Sequence, residues 1–176
     1  DKIEKLCQQI KIDCFRGSEN DVLGRYYKCA LKYPAHDNIV RITGDCPLID
    51  PIVIDEVIAC FEKYNFDYAS NNFDVPGDTT KETFPDGLDI EIFKRAVLYE
   101  SAEKAELPSE REHVTLHITK SKKYKKGNFS APHNWSHFRL TVDTPADFLV
   151  IKFLIEKGGP NAGYLDYISL LTKNPE

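Results

Sequence analysis

The stretch NIVRITGDCPLIDP (residues 38–51) decides the fold, because a strand, a short loop and a helix start follow one another within it. The apolar residues of 38–43 predict the strand. Asp50 followed by Pro51 predicts a helix that runs to about Tyr64, since proline fits the first position of a helix. Strand and helix patterns alternate on either side of this stretch, which is typical of a parallel sheet covered by helices. The sequence therefore predicts an α/β fold.

The other elements follow the same two patterns of apolar residues. Further strands are predicted at Ile10–Phe15, Leu88–Phe93 and His137–Val142. A helix is predicted near residues 3–10, and another after Ser18, which is the expected N-cap with Asp21 at the capping-box position. A third follows the strand Leu88–Phe93 and runs to about Ala105. The last three begin at Pro108, run from Pro145 to about Lys157, and run from Tyr164 to Leu171. Between Asn71 and Gly87 the alternation breaks, and such a long irregular stretch is typical of a functional loop.

Size and composition narrow the class of protein. The 176 residues suit one domain with a single core, which we expect to span residues 1–176. Hydrophobic residues make up 41% and charged residues 29%, which excludes a disordered chain. No apolar run approaches the roughly 18 residues of a membrane helix, and the net charge of −5 argues against a nucleic-acid surface. The five cysteines form no C-x-x-C pair, which is typical of reduced thiols and favours a cytoplasmic location.

One short segment occurs twice. RITGDCP (residues 41–47) recurs as RLTVDTP (residues 139–145), so each predicted strand is followed by Asp, one further residue and Pro. Ligands of open α/β sheets bind beyond the carboxyl ends of the strands. Two aspartates placed there, Asp45 and Asp143, would repel each other unless a cation lies between them. Magnesium suits such a pair, because it takes one or two carboxylates and keeps positions for water and phosphate oxygens.

The alternative is that both aspartates are structural. Asp before a helix is most often an N-cap, and structural ion pairs imitate functional sites. Thr144 with Asp147 already supplies the cap of the second helix, however, and Asp50 supplies the cap of the first. These caps leave Asp45 and Asp143 available for a ligand.

Three other charged residues have an ordinary structural interpretation. Arg25 can pair with Asp21, four residues earlier on a helix surface. His113 and His117 lie one helical turn apart, which is a possible zinc spacing. No third ligand is evident for them, so a packed or solvent-facing pair is the alternative.

The motifs resemble those of a known family. GDCPLI (residues 44–49) and VDTP (residues 142–145) are similar to the two metal-binding stretches of the CMP-sugar synthetases, especially the CMP-KDO synthetase type. Further stretches resemble the spore coat polysaccharide biosynthesis protein F branch of that cytidylyltransferase family: FRGS (residues 15–18), PDGLD (residues 85–89) and REHVT (residues 111–115). The resemblance runs in order from about Ile12 to Phe148.

This resemblance implies a three-layer α/β/α sandwich of the nucleotide-diphospho-sugar transferase type. We expect the N-terminal βα portion of that fold, which carries the nucleotide loop, to be missing from this chain. The implied reaction is magnesium-dependent cytidylyl transfer, in which a sugar acid or sugar phosphate attacks the α-phosphate of CTP and expels pyrophosphate. The product is a CMP- or CDP-sugar for surface polysaccharide biosynthesis. A homodimer is implied as well.

The resemblance also assigns roles to residues. It implies that Asp45 and Asp143 hold magnesium and that Arg25 acts with them in catalysis. Ser18 and Gly44 are the candidate nucleotide contacts. Five residues fall where relatives contact the acceptor or a partner subunit, and they are the candidate acceptor contacts: Asp86, Asp89, Glu91, Arg111 and His113.

Two alternatives stay open. A glycosyltransferase of the same architecture would use a nucleotide-sugar donor, but such enzymes usually carry a D-x-D pair where this chain has Asp45-Cys46-Pro47. A non-catalytic domain that has lost its nucleotide loop is the second alternative. Retention of both Asp-x-Pro segments, despite their like charge, argues against it.

Overall fold

The computed structural model describes residues 1–72 and 82–175. Within these ranges the helices are α1 (Lys2–Gln9), α2 (Val22–Lys32), α3 (Pro51–Tyr64), α4 (Arg95–Lys104), α5 (Pro108–Glu112), α6 (Leu116–Lys120), α7 (Pro145–Gly158) and α8 (Tyr164–Lys173). The strands are β1 (Asn38–Arg41), β2 (Tyr68–Ser70), β3 (Glu91–Lys94) and β4 (Lys126–Asn128).

The chain forms two compact units. The helical unit comprises Asp1–Asp37 and Lys94–Lys122, and the sheet unit comprises Asn38–Phe93 and Lys123–Glu176. The expectation of one domain over residues 1–176 stays a prediction.

The sheet unit is built on a mixed sheet in the order β1-β3-β2-β4, with β2 antiparallel to β3 and parallel to β4. The prediction of a parallel sheet was therefore wrong for the β2–β3 pair. A parallel pair needs a crossover, usually a helix, and the described part of the segment between β2 and β3 contains no helix. The mixed α/β class itself agrees with the prediction.

Helix starts in the sheet unit lie where the sequence predicted them. Asp50 caps α3 by accepting a hydrogen bond from the Ile52 amide at 2.9 Å. Thr144 caps α7, and Asp147 completes the capping box. Both helices begin with proline, and their apolar sides enter a core shared with the sheet. Its fully buried members include Val57, Ile90, Leu140 and Leu154.

Three strand predictions were wrong in whole or in part. Residues 10–15 form no strand, because the chain turns back along α1 there and the Ile12 amide bonds to the Cys7 carbonyl at 2.9 Å. Residues 137–142 make only an isolated parallel bridge, between Asp86 and Arg139. The strand predicted to begin at Leu88 is β3, and it begins three residues later, at Glu91.

In the helical unit, α2 packs against α4 and α5 around Leu23, Leu98 and other buried apolar residues. The cap of α2 differs from the prediction: Asp21, not Ser18, is the N-cap, and its carboxylate accepts from the Gly24 amide at 2.9 Å. The Ser18 hydroxyl instead accepts from the Asp21 amide at 3.0 Å. An aspartate directly before the helix reaches the first-turn amides from a shorter distance.

Among the described residues, no helix combines the length and the apolar character that crossing a membrane requires.

Candidate active site

The two Asp-x-Pro segments lie side by side in the sheet unit. The carbonyl oxygen of Asp45 accepts hydrogen bonds from the Val142 amide at 2.9 Å and from the Thr141 hydroxyl at 3.0 Å. The loop after β1 is thereby fixed against the residues that lead into Asp143. The predicted proximity of these two segments is a feature of the structure.

A third stretch, Pro85-Asp86-Gly87, joins them. The Leu140 amide donates to the Asp86 carbonyl at 2.6 Å, and the Asp86 amide donates to the Phe138 carbonyl at 3.2 Å. Gly87 has a φ of +99°, and a Cβ there would lie 2.4 Å from the Leu140 carbonyl carbon. Only glycine allows this approach, so the Asp-Gly pair is needed to bring the loop onto residues 138–141.

Arg139 ties the acidic side chains of this region together. Its guanidinium forms ion pairs with the carboxylates of Asp86 and Asp143, and its Nε donates to Asp147 Oδ1 at 3.2 Å. The amides of Asp143 and Thr144 also donate to Asp147. The Arg139 bond and these two amides hold the pKa of the Asp147 carboxyl well below its ordinary value.

Asp45 is exposed and stays ionised. The Thr43 hydroxyl is the main cause that lowers the pKa of the Asp45 carboxyl, with smaller contributions from the Cys46 thiol and the Arg41 charge. Cys46 itself is buried, and desolvation raises the pKa of its thiol. An exposed carboxylate beside a neutral thiol can bind a hard cation through oxygen.

Asp89 and Glu91 have different surroundings. Burial, followed by the nearby charge of Asp86, raises the pKa of Asp89 to about 6. Glu91 is buried; it accepts a hydrogen bond from the Tyr68 hydroxyl at 2.8 Å and is ion-paired with Arg41. Asp89 could therefore exchange a proton near neutral pH, whereas the Glu91 carboxylate already has two internal partners.

Gly44 is the remaining predicted site residue of the sheet unit. Gly44 is exposed, and a Cβ there would meet no atom within 4 Å. The space around this glycine is open to a ligand.

Ser18, Arg25, Arg111 and His113 lie in the helical unit. Arg25 Nη1 donates to the Ser18 carbonyl at 2.8 Å, so these two predicted residues are in contact. The structural alternative for Arg25, an ion pair with Asp21, was wrong: Asp21 pairs with Arg111, through Nε at 2.8 Å and Nη2 at 2.7 Å.

The histidine pair does not form a zinc site. His113 is exposed at the end of α5, while His117 Nδ1 lies 3.3 Å from Glu110 Oε1. In residues 1–72 and 82–175, no group of three or more His, Cys, Asp or Glu side chains is arranged to hold a metal ion. An all-protein metal cage is therefore absent from the described ranges.

Magnesium fits the residues that are present. It is bound through one or two carboxylates, while waters and substrate phosphates supply the other ligands. Asp45 and Asp143 are exposed carboxylates on adjoining segments. Around Arg139, three carboxylates face one guanidinium, which leaves an excess of negative charge for a cation to neutralise.

Arg139 is the residue that sequence reasoning missed. It opens the second of the two similar segments, four residues before Asp143, which is the spacing of a helical ion pair. Because residues 137–142 were predicted as a strand, that spacing carried no signal. The ion pair between Arg139 and Asp86 joins residues far apart in the sequence, so it could be recognised only after the fold was known.

Comparison with known proteins identifies the family. The cytidylyltransferase family profile matches residues 1–156. The Bacillus subtilis spore coat polysaccharide biosynthesis protein SpsF is 31% identical over 182 residues, covering 100% of this chain and 71% of that protein. An uncharacterised protein of Methanocaldococcus jannaschii is 35% identical over 178 residues, covering 99% of this chain and 69% of that protein.

A solved structure agrees. The cytidylyltransferase from Leptospira borgpetersenii superposes with a TM-score of 0.89 at 35% identity, covering 99% of this chain and 72% of that chain. The predicted α/β fold class and the predicted resemblance are both confirmed, whereas the expected lack of the N-terminal βα portion stays a prediction. With its paired Asp-x-Pro segments joined in one unit and its profile match over most of its length, the chain belongs to the cytidylyltransferase family.

Proposed function

We propose that this chain transfers the cytidylyl group of CTP to a sugar acid or a sugar phosphate, with magnesium held by Asp45 and Asp143. The product would be a CMP- or CDP-sugar. Polysaccharide biosynthesis is the process that the Bacillus subtilis relative is named for, and we propose the same kind of pathway for this chain.

The observation that carries this proposal is the hydrogen bond between the Val142 amide and the Asp45 carbonyl, at 2.9 Å. It fixes the backbone of one predicted metal ligand next to the segment that bears the other. Two adjoining segments that each carry an exposed carboxylate suit a reaction on a polyphosphate bound through a divalent ion.

The reaction is a substitution at phosphorus. An oxygen of the acceptor sugar attacks the α-phosphorus of CTP, the bond to the bridging oxygen of the β-phosphate breaks, and pyrophosphate leaves with that electron pair. Magnesium, when bound, would neutralise charge on the phosphate oxygens. The lowered pKa of Asp45 keeps this ligand ionised at neutral pH.

Residues beside the metal ligands would position the acceptor. Asp86 is half exposed and anchored by Arg139, so its carboxylate can accept a hydrogen bond from a sugar hydroxyl. Asp89, with its pKa raised to about 6, can donate or accept near neutral pH. We propose these two as acceptor contacts in the sheet unit.

The test is pyrophosphate release from CTP and magnesium by the full-length protein, with a panel of sugar acids and sugar phosphates and mass spectrometry of the product. We expect Asp45→Asn to lower kcat at least about 100-fold, because charge stabilisation of a transition state is lost. The matched control is Asp55→Asn, an exposed aspartate on α3, which should leave kcat unchanged.

Two outcomes would contradict the proposal. Undiminished turnover by the Asp45→Asn protein would remove this residue from the site. Consumption of a nucleotide-sugar, with no pyrophosphate released from CTP by any acceptor, would instead assign the fold to glycosyl transfer. Far-ultraviolet circular dichroism of each variant establishes that the fold is retained.

A further inference from the structure

Arg139 occupies one oxygen of a predicted metal ligand. Its Nη2 pairs with Asp143 Oδ2. Within the described part of the chain, no donor contacts the other carboxylate oxygen, Oδ1. Asp143 therefore has one oxygen without a donor, while its other oxygen lies beside a positive charge that repels a cation bound there.

The guanidinium is held in this position from several sides. Its Nη1 pairs with Asp86, and its Nε donates to Asp147 Oδ1 at 3.2 Å. The backbone also holds Arg139 beside Asp86. The two residues form an isolated parallel β-bridge, and the Leu140 amide donates to the Asp86 carbonyl at 2.6 Å. The contacts with the other two carboxylates favour the position of the guanidinium beside Asp143.

One available oxygen favours one kind of cation over another. Calcium takes six to eight oxygens and commonly binds a carboxylate through both of its oxygens, whereas magnesium takes six in a strict octahedron and needs one oxygen per carboxylate. A carboxylate with one oxygen beside a guanidinium is less suited to binding calcium through both oxygens than to binding magnesium through the other oxygen alone.

We propose that Arg139 is a positioning residue that makes the site selective for magnesium over calcium by restricting Asp143 to a single metal-binding oxygen. The inference rests on the proposed function, since it takes Asp143 as a metal ligand. It assigns to Arg139 a role that a merely structural ion pair would not have, because it concerns the ratio of two affinities.

The test measures metal binding without turnover. Mn²⁺ bound to the full-length protein is followed by electron paramagnetic resonance, and Mg²⁺ and Ca²⁺ are titrated as competitors. For Arg139→Gln we expect Ca²⁺ to gain roughly tenfold relative to Mg²⁺, the size of effect that changes next to metal ligands commonly have. The matched control is Lys152→Gln, which removes one positive charge from an exposed ion pair on α7 and should leave the ratio unchanged.

A second variant separates charge from geometry. Arg139→Lys keeps the positive charge, but a single ammonium lacks the planar fork that spans two carboxylates. We expect it to lose the discrimination between Mg²⁺ and Ca²⁺ as the glutamine variant does. Thermal unfolding of both variants checks that each is still folded. If Arg139→Gln is unfolded, Arg139→Lys serves as the test.

The outcomes separate the two levels of inference. If the wild-type protein binds Mn²⁺ and both Arg139 variants change the Mg²⁺ and Ca²⁺ affinities by the same factor, the role of Arg139 is overturned and the metal site stands. If Arg139→Lys keeps the wild-type ratio of Mg²⁺ to Ca²⁺ affinity, the proposed role of Arg139 is also overturned, because positive charge alone would then explain the selectivity. If the wild-type protein binds no Mn²⁺, the metal site and this inference are overturned together.

Discussion

The carbonyl oxygen of Asp45 accepts a hydrogen bond from the amide of Val142 at 2.9 Å. This contact joins two loops that are far apart in the chain and that carry the same Asp-x-Pro pattern. Leu140, on the same segment as Val142, is bonded in turn to Asp86. The candidate active site therefore depends on how closely residues 138–142 are held between the two neighbouring loops.

The first prediction concerns Gly87, which sets that distance. In Gly87→Ala the new Cβ would lie 2.4 Å from the Leu140 carbonyl carbon and 2.5 Å from the Thr141 nitrogen, at a φ of +99°. We expect the free energy of unfolding to fall by more than about 1 kcal/mol, because both the backbone conformation and the close approach are lost. Urea denaturation measures it.

The control is Gly44→Ala, where a Cβ would meet no atom within 4 Å. Its free energy of unfolding should stay within about 0.5 kcal/mol of wild type, as at an open surface position. Equal stability of both variants would mean that the contact between Gly87 and Leu140 is not as close as the structure has it.

The second prediction concerns the pH dependence of stability at Asp89. Burial and the charge of Asp86 raise the pKa of Asp89 from 3.8 to about 6. The folded protein therefore binds this proton more tightly than the unfolded chain. The contribution to stability is complete below pH 3.8 and is lost as the pH rises through about 6.

In Asp89→Asn this loss is absent, so between about pH 4 and about pH 7 the wild-type protein should lose up to about 3 kcal/mol more than the variant. Urea denaturation at a series of pH values measures the difference, and Asp55→Asn, which is exposed, should behave as wild type. Parallel curves for wild type and Asp89→Asn would contradict a raised pKa.

The third prediction concerns Arg111, which was predicted as an acceptor contact and lies in a bidentate ion pair with Asp21. Its Nη1 also donates to the Ala102 carbonyl at 2.7 Å. We expect Arg111→Gln to lower the free energy of unfolding by roughly 1 kcal/mol, a value reduced by the partial exposure of the pair. Asp21→Asn keeps the helix cap, so a double-mutant cycle isolates the ion pair.

This coupling should depend on pH. The hydrogen bond from Arg111 is the main cause that lowers the pKa of Asp21. The stabilisation is thus present above the ordinary pKa of 3.8 and is lost as the pH falls through the lower folded-state value. Arg16→Gln, which removes an exposed ion pair, should show little change. Strictly additive losses for Arg111 and Asp21 would show that the two are not coupled.

The sequence was most informative where local chemistry acts alone. Pro51 and Pro145 mark helix starts because proline fits the first turn, and the caps Asp50 and Thr144 need only neighbouring amides. Such contacts lie within a few residues, so they can be inferred without the fold.

Contacts across the sheet could not be inferred in the same way. No strand was predicted at β4 (Lys126–Asn128), because three residues with a central glycine carry no alternating pattern. This strand is defined by its pairing with β2. The predicted strand at 137–142 failed for the converse reason: its apolar alternation is real, with Leu140 fully buried, but its backbone bonds to loops instead of to a strand.

The candidate site shows the same division. The two Asp-x-Pro segments were recognisable because they resemble each other in sequence. Arg139 gains its importance only from three carboxylates that the fold brings around it. Likewise the raised pKa of Asp89 depends on burial, which no local pattern at that residue indicates.

The central claim is that one divalent ion is shared by Asp45 and Asp143. It is tested most directly by titrating Mn²⁺ into the full-length wild-type, Asp45→Asn and Asp143→Asn proteins and counting bound ions by electron paramagnetic resonance. We predict a single site in the wild type, weakened at least about tenfold by either substitution and unaffected by Asp55→Asn. A site that keeps its wild-type affinity when either aspartate is replaced would contradict the claim.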